Sequence, residues 1–284
     1  MVQQHNWTEC SLPKKAMPCV LPDFQKLEPI RQRIIRRPLG IILQGFQTTF
    51  ELVNAMKNAS IAQRALYEKA GILHRDISST HIRLDLEGGG GVLVDWDDDY
   101  ADTKGWPKGV SEDLPARMGT KEFMSKSLLC KGSELFKVQL IDNLESFFHI
   151  LAWLALAWTN HSLTTDDVAW SIRSTYIYGW RRTCCLGWMS SHESRMFPPG
   201  PFQSLVADVG YVVIERYLGV DENLKGIRDR GPPTPDRLKD VLKNSDWMVE
   251  RFVRAASALS IEGSTARAHR RFAIRVNGEQ LGFY

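Results

Sequence analysis

Residues 71–97 decide the fold, and they read GILHRDISSTHIRLDLEGGGGVLVDWD. Apolar residues alternate from Ile82 to Leu86, and Val92–Val94 is an apolar triplet, so each segment has the composition of a short strand. The glycine run Gly88–Gly91 between them favours a hairpin turn. It is not typical of a phosphate-binding loop, because no Lys-Ser or Lys-Thr follows it and no helix begins there. The stretch therefore predicts two short antiparallel strands, with the tripeptide HRD before the first and an aspartate ending the second.

Helices are predicted on both sides of this hairpin. Upstream, after a short strand predicted within residues 33–43, Thr48 and Glu51 have the spacing of a capping box, and Gly71 is a residue type that ends helices. Downstream, residues 97–125 are predicted to be a loop, and helices are predicted at about 142–159, 204–218 and 235–260. The predicted helix at 235–260 follows the helix-breaking stretch Gly231–Pro235. The apolar run Phe147–Trp158 is shorter than the about 18 residues that a membrane span requires, so we expect a buried core helix.

Composition narrows the class of protein and its setting. The chain has 284 residues, 43% of them hydrophobic, and a net charge of +3, which favours a globular protein and no nucleic-acid partner. Its five cysteines contain no C-x-x-C pair, which favours a reducing, intracellular setting in the cytoplasm or nucleus. No apolar signal region begins the chain, and we expect no membrane contact.

The HRD stretch has residue types that suit phosphoryl transfer. That reaction needs a carboxylate to orient the attacking hydroxyl, oxygen ligands for Mg²⁺, and cations on the phosphates. The kinase arrangement is H-R-D, four residues, a metal-binding Asn, and then a strand that ends in a metal-binding Asp. Here His74-Arg75-Asp76 is followed by His81 at the Asn position and by Asp95 at the strand end.

Four blocks in this order resemble the fungal-type protein kinase family. The likeness runs from about Arg33 to about Leu218, and the blocks that carry it are Gly71–Ser78, Val92–Asp97, Gly119–Ser125 and Asp142–Phe148. The resemblance implies an α+β, protein-kinase-like fold, specifically a mainly α-helical C-terminal lobe with a small β-hairpin region. It also implies ATP and Mg²⁺ as cofactors and protein serine or threonine hydroxyls as acceptors of phosphorylation.

The resemblance assigns roles in the catalytic loop. Asp76 matches the base that receives the proton of the substrate hydroxyl, with His74 beside it. Arg75 matches the residue that braces the activation segment, roughly residues 97–125. Asp95 matches the Asp that binds Mg²⁺.

Further residues match supporting positions of the family. Gly119 and Thr120 would shape the substrate-facing end of the activation segment. Asp142 and Asn143 begin the core helix, and Asn143 stands at an acidic position from which it can still hydrogen-bond the backbone of the catalytic loop. Ser78 and His81 occupy positions that face ATP and its metal in kinases.

Several departures from the family pattern predict impaired catalysis. His81 replaces the metal-binding Asn, and imidazole suits Zn²⁺ better than Mg²⁺; we expect His81 to face solvent rather than to form a new metal site. No G-x-G-x-x-G and no V-A-I-K-like strand precedes His74. A kinase N lobe needs roughly 60 to 70 residues in addition to the helices before the catalytic loop, and only 73 residues precede His74. We therefore expect the N lobe to be missing or vestigial.

The predicted organisation is an irregular segment at 1–32, a kinase-like C-terminal lobe at 33–260, and a solvated basic tail at 261–284 that includes Arg267, Arg270, Arg271 and Arg275. Three functions stay open. The chain is a protein kinase, impaired as it stands; or a non-catalytic kinase-like module, a pseudokinase that binds a protein partner or a separate N lobe at its exposed cleft face; or a small-molecule phosphotransferase of the aminoglycoside type. Arg75 favours the protein-kinase branch, because small-molecule phosphotransferases usually have glycine at this position.

Overall fold

The computed structural model describes residues 40–85, 89–96, 119–130, 138–177, 196–217, 244–262, 264–268, 273–276 and 279–282. All of these belong to the compact unit Pro38–Tyr284. The predicted segment 1–32, most of the predicted activation segment and the predicted break at Gly231–Pro235 lie outside the described residues.

Helix α1 spans Thr49–Ala70, and local sequence signals set both of its ends. The Thr48 hydroxyl accepts a hydrogen bond from the Glu51 N–H at 3.2 Å, as predicted for an N-cap residue. The Glu51 carboxylate accepts from the N–H of Gln47 and not from that of Thr48, so only half of the predicted capping box forms. Gly71 follows the helix with φ 69°, a left-handed conformation that glycine adopts at little cost.

Strands β1 (Ile41–Ile42), β2 (Ile82–Leu84) and β3 (Gly91–Leu93) form an antiparallel sheet in that order. Ile82 pairs with Leu93 and Leu84 pairs with Gly91, so the predicted hairpin is confirmed. The sheet lies directly on α1: a Cβ atom at Gly91 would come within 2.3 Å of the Ala55 backbone. Only glycine allows this approach, which packs the start of β3 against the N-terminal half of α1.

Helix α3 spans Leu140–Trp158, and all of its residues except Ile141 are buried. Among the residues that the structure describes, it is the one helix long and apolar enough to cross a membrane, and its most apolar window lies entirely inside the protein. That burial is typical of a core helix, as its composition predicted. Its observed bounds agree with the predicted 142–159 within two residues.

The other α-helices among the described residues are α2 (Lys126–Cys130), α4 (Thr165–Ile172), α5 (Pro201–Glu215) and α6 (Asp246–Glu262), and a 3-10 helix spans Leu43–Gly45. A π-helical turn, Arg173–Ile177, extends α4. Helix α1 packs against α6, and α5 packs against both α3 and α6. A second antiparallel pair, β4 (Ala273–Val276) and β5 (Glu279–Gly282), follows. Six α-helices and a small antiparallel sheet in this part of the chain make the fold α+β, as predicted.

Residues 264–268 pack against the start of α1 and the end of α3. The Thr49 N–H donates to the Thr265 carbonyl at 3.0 Å, and the Ala268 N–H donates to the Trp158 carbonyl at 2.8 Å. The Arg267 guanidinium stacks on the Trp158 indole, 3.9 Å from its ring centre, and burial lowers the pKa of Arg267. The prediction of a solvated basic tail is therefore wrong for Arg267. Arg270 and Arg271 lie outside the described residues.

Candidate active site

His74 joins the catalytic loop to the end of the hairpin. Its Nε2–H donates to the Val94 carbonyl at 2.8 Å, and its ring lies 4.6 Å from that of Trp96. Burial lowers the pKa of His74, which favours the neutral ring with its proton on Nε2. In addition, the Val94 N–H donates to the His81 carbonyl at 2.9 Å. Both ends of the loop are thus bonded to the backbone next to Asp95.

Arg75 and Asp95 have left-handed backbones, with φ 68° and 67°, and among the described residues they are the non-glycine positions with positive φ. Such a conformation costs about 1–3 kcal/mol per residue and persists where surrounding contacts impose it, most often at functional sites. Both residues belong to the candidate site. The bracing role predicted for Arg75 stays a prediction, because most of the activation segment lies outside the described residues.

His81 lies between Asp76 and Asp95. Its Nδ1–H donates to the Asp76 carbonyl at 2.7 Å and lies 3.6 Å from Asp76 Oδ2, while Nε2 lies 3.3 Å from Asp95 Oδ2. One imidazole ring separates the carboxylates, so they lie within the about 10 Å that a phosphoryl group and an ion need. The kinase resemblance, which makes Asp76 the base and Asp95 the metal ligand, requires the two carboxylates to converge, and the distances to His81 confirm that they do. The expectation of a solvent-facing His81 is wrong, since its side chain is 20% exposed and both nitrogens face oxygen atoms.

Thr120 holds the carboxylate of Asp76, and Gly119 lies against the catalytic loop beside it. The backbone N–H and the hydroxyl of Thr120 both donate to Asp76 Oδ1, at 2.7 and 2.8 Å. Gly119 has φ 120°, and a Cβ atom there would lie 3.0 Å from the Arg75 carbonyl oxygen. The end of the predicted activation segment therefore contacts the catalytic loop directly. The other carboxylate oxygen of Asp76, Oδ2, accepts no hydrogen bond from Thr120.

Ser78 does not face the cleft in this arrangement. It is fully buried, its hydroxyl lies 2.8 Å from Thr80 Oγ1, and it accepts from the His81 N–H at 3.3 Å. These bonds shape the loop from within. A direct contact between Ser78 and a nucleotide would require the loop to move, and the predicted cofactor role of Ser78 stays a prediction.

Asn143 reaches the catalytic loop through a residue that the sequence did not indicate. Its Nδ2 donates to Gln63 Oε1 at 3.1 Å, and the His74 N–H donates to the same oxygen at 3.2 Å. The expectation that Asn143 bonds the loop backbone directly is therefore corrected. Gln63 stands on α1 among apolar residues, and its fully buried side chain gave no signal in the sequence pattern.

A buried cluster of charged residues supports the segment after Thr120. Arg216 donates to Asp142 at 2.7 Å, to Glu145 at 2.9 Å and to the Ser127 hydroxyl at 2.8 Å. Asp142 also accepts from the Ser125 hydroxyl at 2.6 Å. The cluster joins the start of α3 to residues 125–127, and Arg216 lies too far along the chain for any local pattern to indicate it.

Burial alone would raise the pKa of Glu145. The hydrogen bond and charge of His149, the charge of Arg216 and the Tyr217 hydroxyl outweigh burial and lower the pKa to about 2. Conversely, burial opposes the charge of Arg216, but Glu145 and Asp142 raise its pKa. Each charge is therefore stabilised by its partner in the cluster.

The site does not fit the Mg²⁺ that a kinase resemblance implies. Mg²⁺ requires a near-octahedral set of oxygen ligands, and imidazole favours other metals. Here the metal position carries His81, whose nitrogens already face Asp76 and Asp95. Within the described ranges, no group of three or more His, Cys, Asp or Glu side chains has the geometry to hold a metal ion.

Comparison with known proteins identifies the family. A sequence model described as fungal protein kinase matches residues 4–155, more than half of the 284 residues. The match contains the HRD loop, Asp95, Thr120 and the start of α3, and it also takes in residues 4–32, outside the resemblance noted from the sequence. No curated protein and no solved structure matches the chain. With the site geometry and the family match in agreement, the chain belongs to the fungal protein kinase family.

Proposed function

We propose that this chain is a kinase-like lobe of the fungal protein kinase family whose phosphoryl-transfer site is impaired. The observation that carries the proposal is the position of His81, which lies against Asp95 where a metal would lie in the family pattern. The family implies ATP and Mg²⁺, and protein hydroxyls are the acceptors in protein kinases. The impairment follows from this chain's own residues.

Asp76 keeps the arrangement of a catalytic base. Thr120 fixes one of its carboxylate oxygens with two hydrogen bonds, and the side chain is 35% exposed. The second oxygen can therefore accept a hydrogen bond from a substrate hydroxyl and orient it for attack. This half of the site supports assignment to phosphoryl transfer rather than to an unrelated use of the fold.

The other half of the site lacks the groups that stabilise transferred charge. His81 replaces an oxygen ligand, and neither a glycine-rich loop nor a V-A-I-K-like lysine precedes His74 in the sequence. Losing a single preorganised electrostatic contact commonly costs about 100-fold in rate. We therefore expect no measurable phosphate transfer by this chain alone.

The test is label transfer from Mg·ATP to a generic protein substrate, with Asp76→Ala as the matched inactive variant. We expect both proteins to give background incorporation only. Incorporation by the wild-type chain that disappears in Asp76→Ala would overturn the proposed impairment while keeping the kinase assignment.

A second candidate function is a non-catalytic binding module. Ile41 and Ile42, in strand β1, are 42% and 40% exposed. The next residue, Leu43, donates through its N–H to the Ser79 carbonyl of the catalytic loop at 3.3 Å. Exposed apolar side chains therefore lie beside the candidate site, where a partner protein or a separate N lobe could pack against them.

Calorimetric titration with an isolated N-terminal kinase lobe of the same family would test this second function. We expect binding that is lost in Ile42→Lys and kept in Val253→Lys, since Val253 is equally exposed but lies on α6. Equal affinity for both variants, or none for the wild type, would contradict it.

A further inference from the structure

Gln63 makes three hydrogen bonds that join α1, α3 and the catalytic loop. Its Oε1 accepts from the His74 N–H at 3.2 Å and from Asn143 Nδ2 at 3.1 Å, and its Nε2 donates to the Ile72 carbonyl at 3.3 Å. Gln63 is fully buried, and Asn143 and His74 are buried as well. None of these groups has ready access to solvent as an alternative partner.

The backbone fixes which way the Gln63 amide points. The His74 N–H can only donate, so it requires the oxygen of the amide, and the Ile72 carbonyl can only accept, so it requires the nitrogen. A flipped amide would place two donors together at His74 and two acceptors together at Ile72. The oxygen is therefore also the atom that meets residue 143, which must be a donor.

We propose that Gln63 is a positioning residue for the catalytic loop and that Asn143 is its matched partner. A carboxylate at position 143 would place its oxygens against Gln63 Oε1, because an ionised carboxylate has no hydrogen to donate. The acidic residue expected there by family resemblance is thus incompatible with Gln63. The inference rests on the proposed function in one respect: the loop that Gln63 positions is the catalytic loop of that function.

The conformation of the residues that follow His74 explains why the hydrogen bond between Gln63 and the His74 backbone is needed. Arg75 has a left-handed backbone, and the next residue is Asp76, the candidate base. A strained conformation persists only where the surrounding contacts impose it. Gln63 fixes the residue before the strain, while Thr120 fixes Asp76 after it.

Amide hydrogen exchange measured by NMR on the full chain tests the proposal without a nucleotide. We expect Asn143→Asp, which changes one NH₂ to oxygen, to speed exchange at the His74 amide about tenfold or more relative to Leu151 in the middle of α3. In a Gln63→Ala background the same substitution should have little effect, because no oxygen opposes it and water can enter the vacated space. Asn54→Asp, on the exposed side of α1, is the control and should leave the ratio unchanged.

Equal acceleration by Asn143→Asp in both backgrounds, or no acceleration in either, would overturn the pairing. If Asn143→Asp does not fold, Gln63→Met is the alternative: it keeps a similar length but neither accepts nor donates strongly. The His74 amide should then exchange about tenfold faster relative to Leu151, and an unchanged ratio would refute the positioning role. Since exchange requires no phosphate transfer, failure of the proposed function would leave these results standing, and failure here would leave the transfer assay interpretable.

Discussion

Thr120 donates two hydrogen bonds to a single oxygen of Asp76, one from its backbone at 2.7 Å and one from its hydroxyl at 2.8 Å. The backbone bond is available to any residue at position 120 except proline, but the second needs a hydroxyl. A substitution at position 120 can therefore remove the hydroxyl bond to Asp76, whereas only proline would remove the backbone bond.

Replacing Thr120 by Val should weaken the site without changing its shape. The valine keeps the branched side chain but leaves Asp76 Oδ1 with one donor. A hydrogen bond to a charged group contributes about 1.5–3 kcal/mol when buried, and the partial exposure of Asp76 reduces this, so we expect a loss of about 1 kcal/mol in free energy of unfolding. Urea titration measures it. Thr120→Ser keeps the hydroxyl, and equal losses for Val and Ser would contradict the assignment.

Gly119→Ala should be more destabilising than Gly89→Ala. Both glycines have positive φ, but a Cβ at Gly89 meets nothing within 4 Å, whereas a Cβ at Gly119 lies 3.0 Å from the Arg75 carbonyl oxygen. Backbone strain alone costs about 1–3 kcal/mol, and the contact adds to it for Gly119. Thermal unfolding of the two variants makes the comparison. A larger effect at Gly89 would show that the segment after Gly119 does not rest on the catalytic loop.

The free energy of unfolding of the protein should fall in acid because of Glu145. Its pKa is lowered from 4.5 to about 2, so the folded state keeps the carboxylate charged where the unfolded chain takes up a proton. The resulting stabilisation, about 3 kcal/mol, is fully present above about pH 4.5 and is lost as pH falls toward 2. Urea midpoints between pH 3 and 7 should therefore decline less steeply in Glu145→Gln than in the wild type.

That variant should also be less stable at neutral pH. It leaves Arg216, which is 15% exposed, with one carboxylate fewer. Removing one partner of a fully buried pair costs about 3–5 kcal/mol, and the partial exposure of Arg216 places the expected loss at or below the lower end of that range. A double-mutant cycle with Arg216→Met should show strong coupling between the two positions. Additive losses would contradict the direct contact between these side chains.

His81→Asn should not restore nucleotide binding by itself. The substitution returns an amide oxygen to the metal position, but it supplies neither the glycine-rich loop nor the V-A-I-K-like lysine that kinases use to hold the phosphates, and neither motif occurs before His74 in this sequence. Titration calorimetry with Mg·ATP should give no low-micromolar dissociation constant for either protein. Tight binding that appears only in His81→Asn would show that His81 alone blocks the site.

Contacts between residues close together in the sequence were predicted better than contacts between residues far apart. The Thr48 cap, the Gly71 helix end and the hairpin were predicted because each depends on residues a few positions apart. The convergence of Asp76 and Asp95 was implied by the kinase resemblance, in which the catalytic loop lies beside the second strand of that hairpin. The Gln63 bond to Asn143 spans 80 positions, and no pattern of spacing or polarity connects two amides so far apart. The half-formed capping box shows that even a local pattern leaves a choice, here between the N–H groups of Gln47 and Thr48.

The contact between Thr49 and Thr265 has a consequence for synthesis of the chain. The two residues are 216 positions apart, and ribosomes add about 5–20 residues per second. The N-terminal turn of α1 therefore waits roughly 10 to 40 s after it leaves the ribosome's catalytic centre before its partner exists. During that interval the Thr49 N–H lacks the Thr265 carbonyl as its partner, so the first turn of α1 depends on the local Thr48 cap alone until residue 265 has been added.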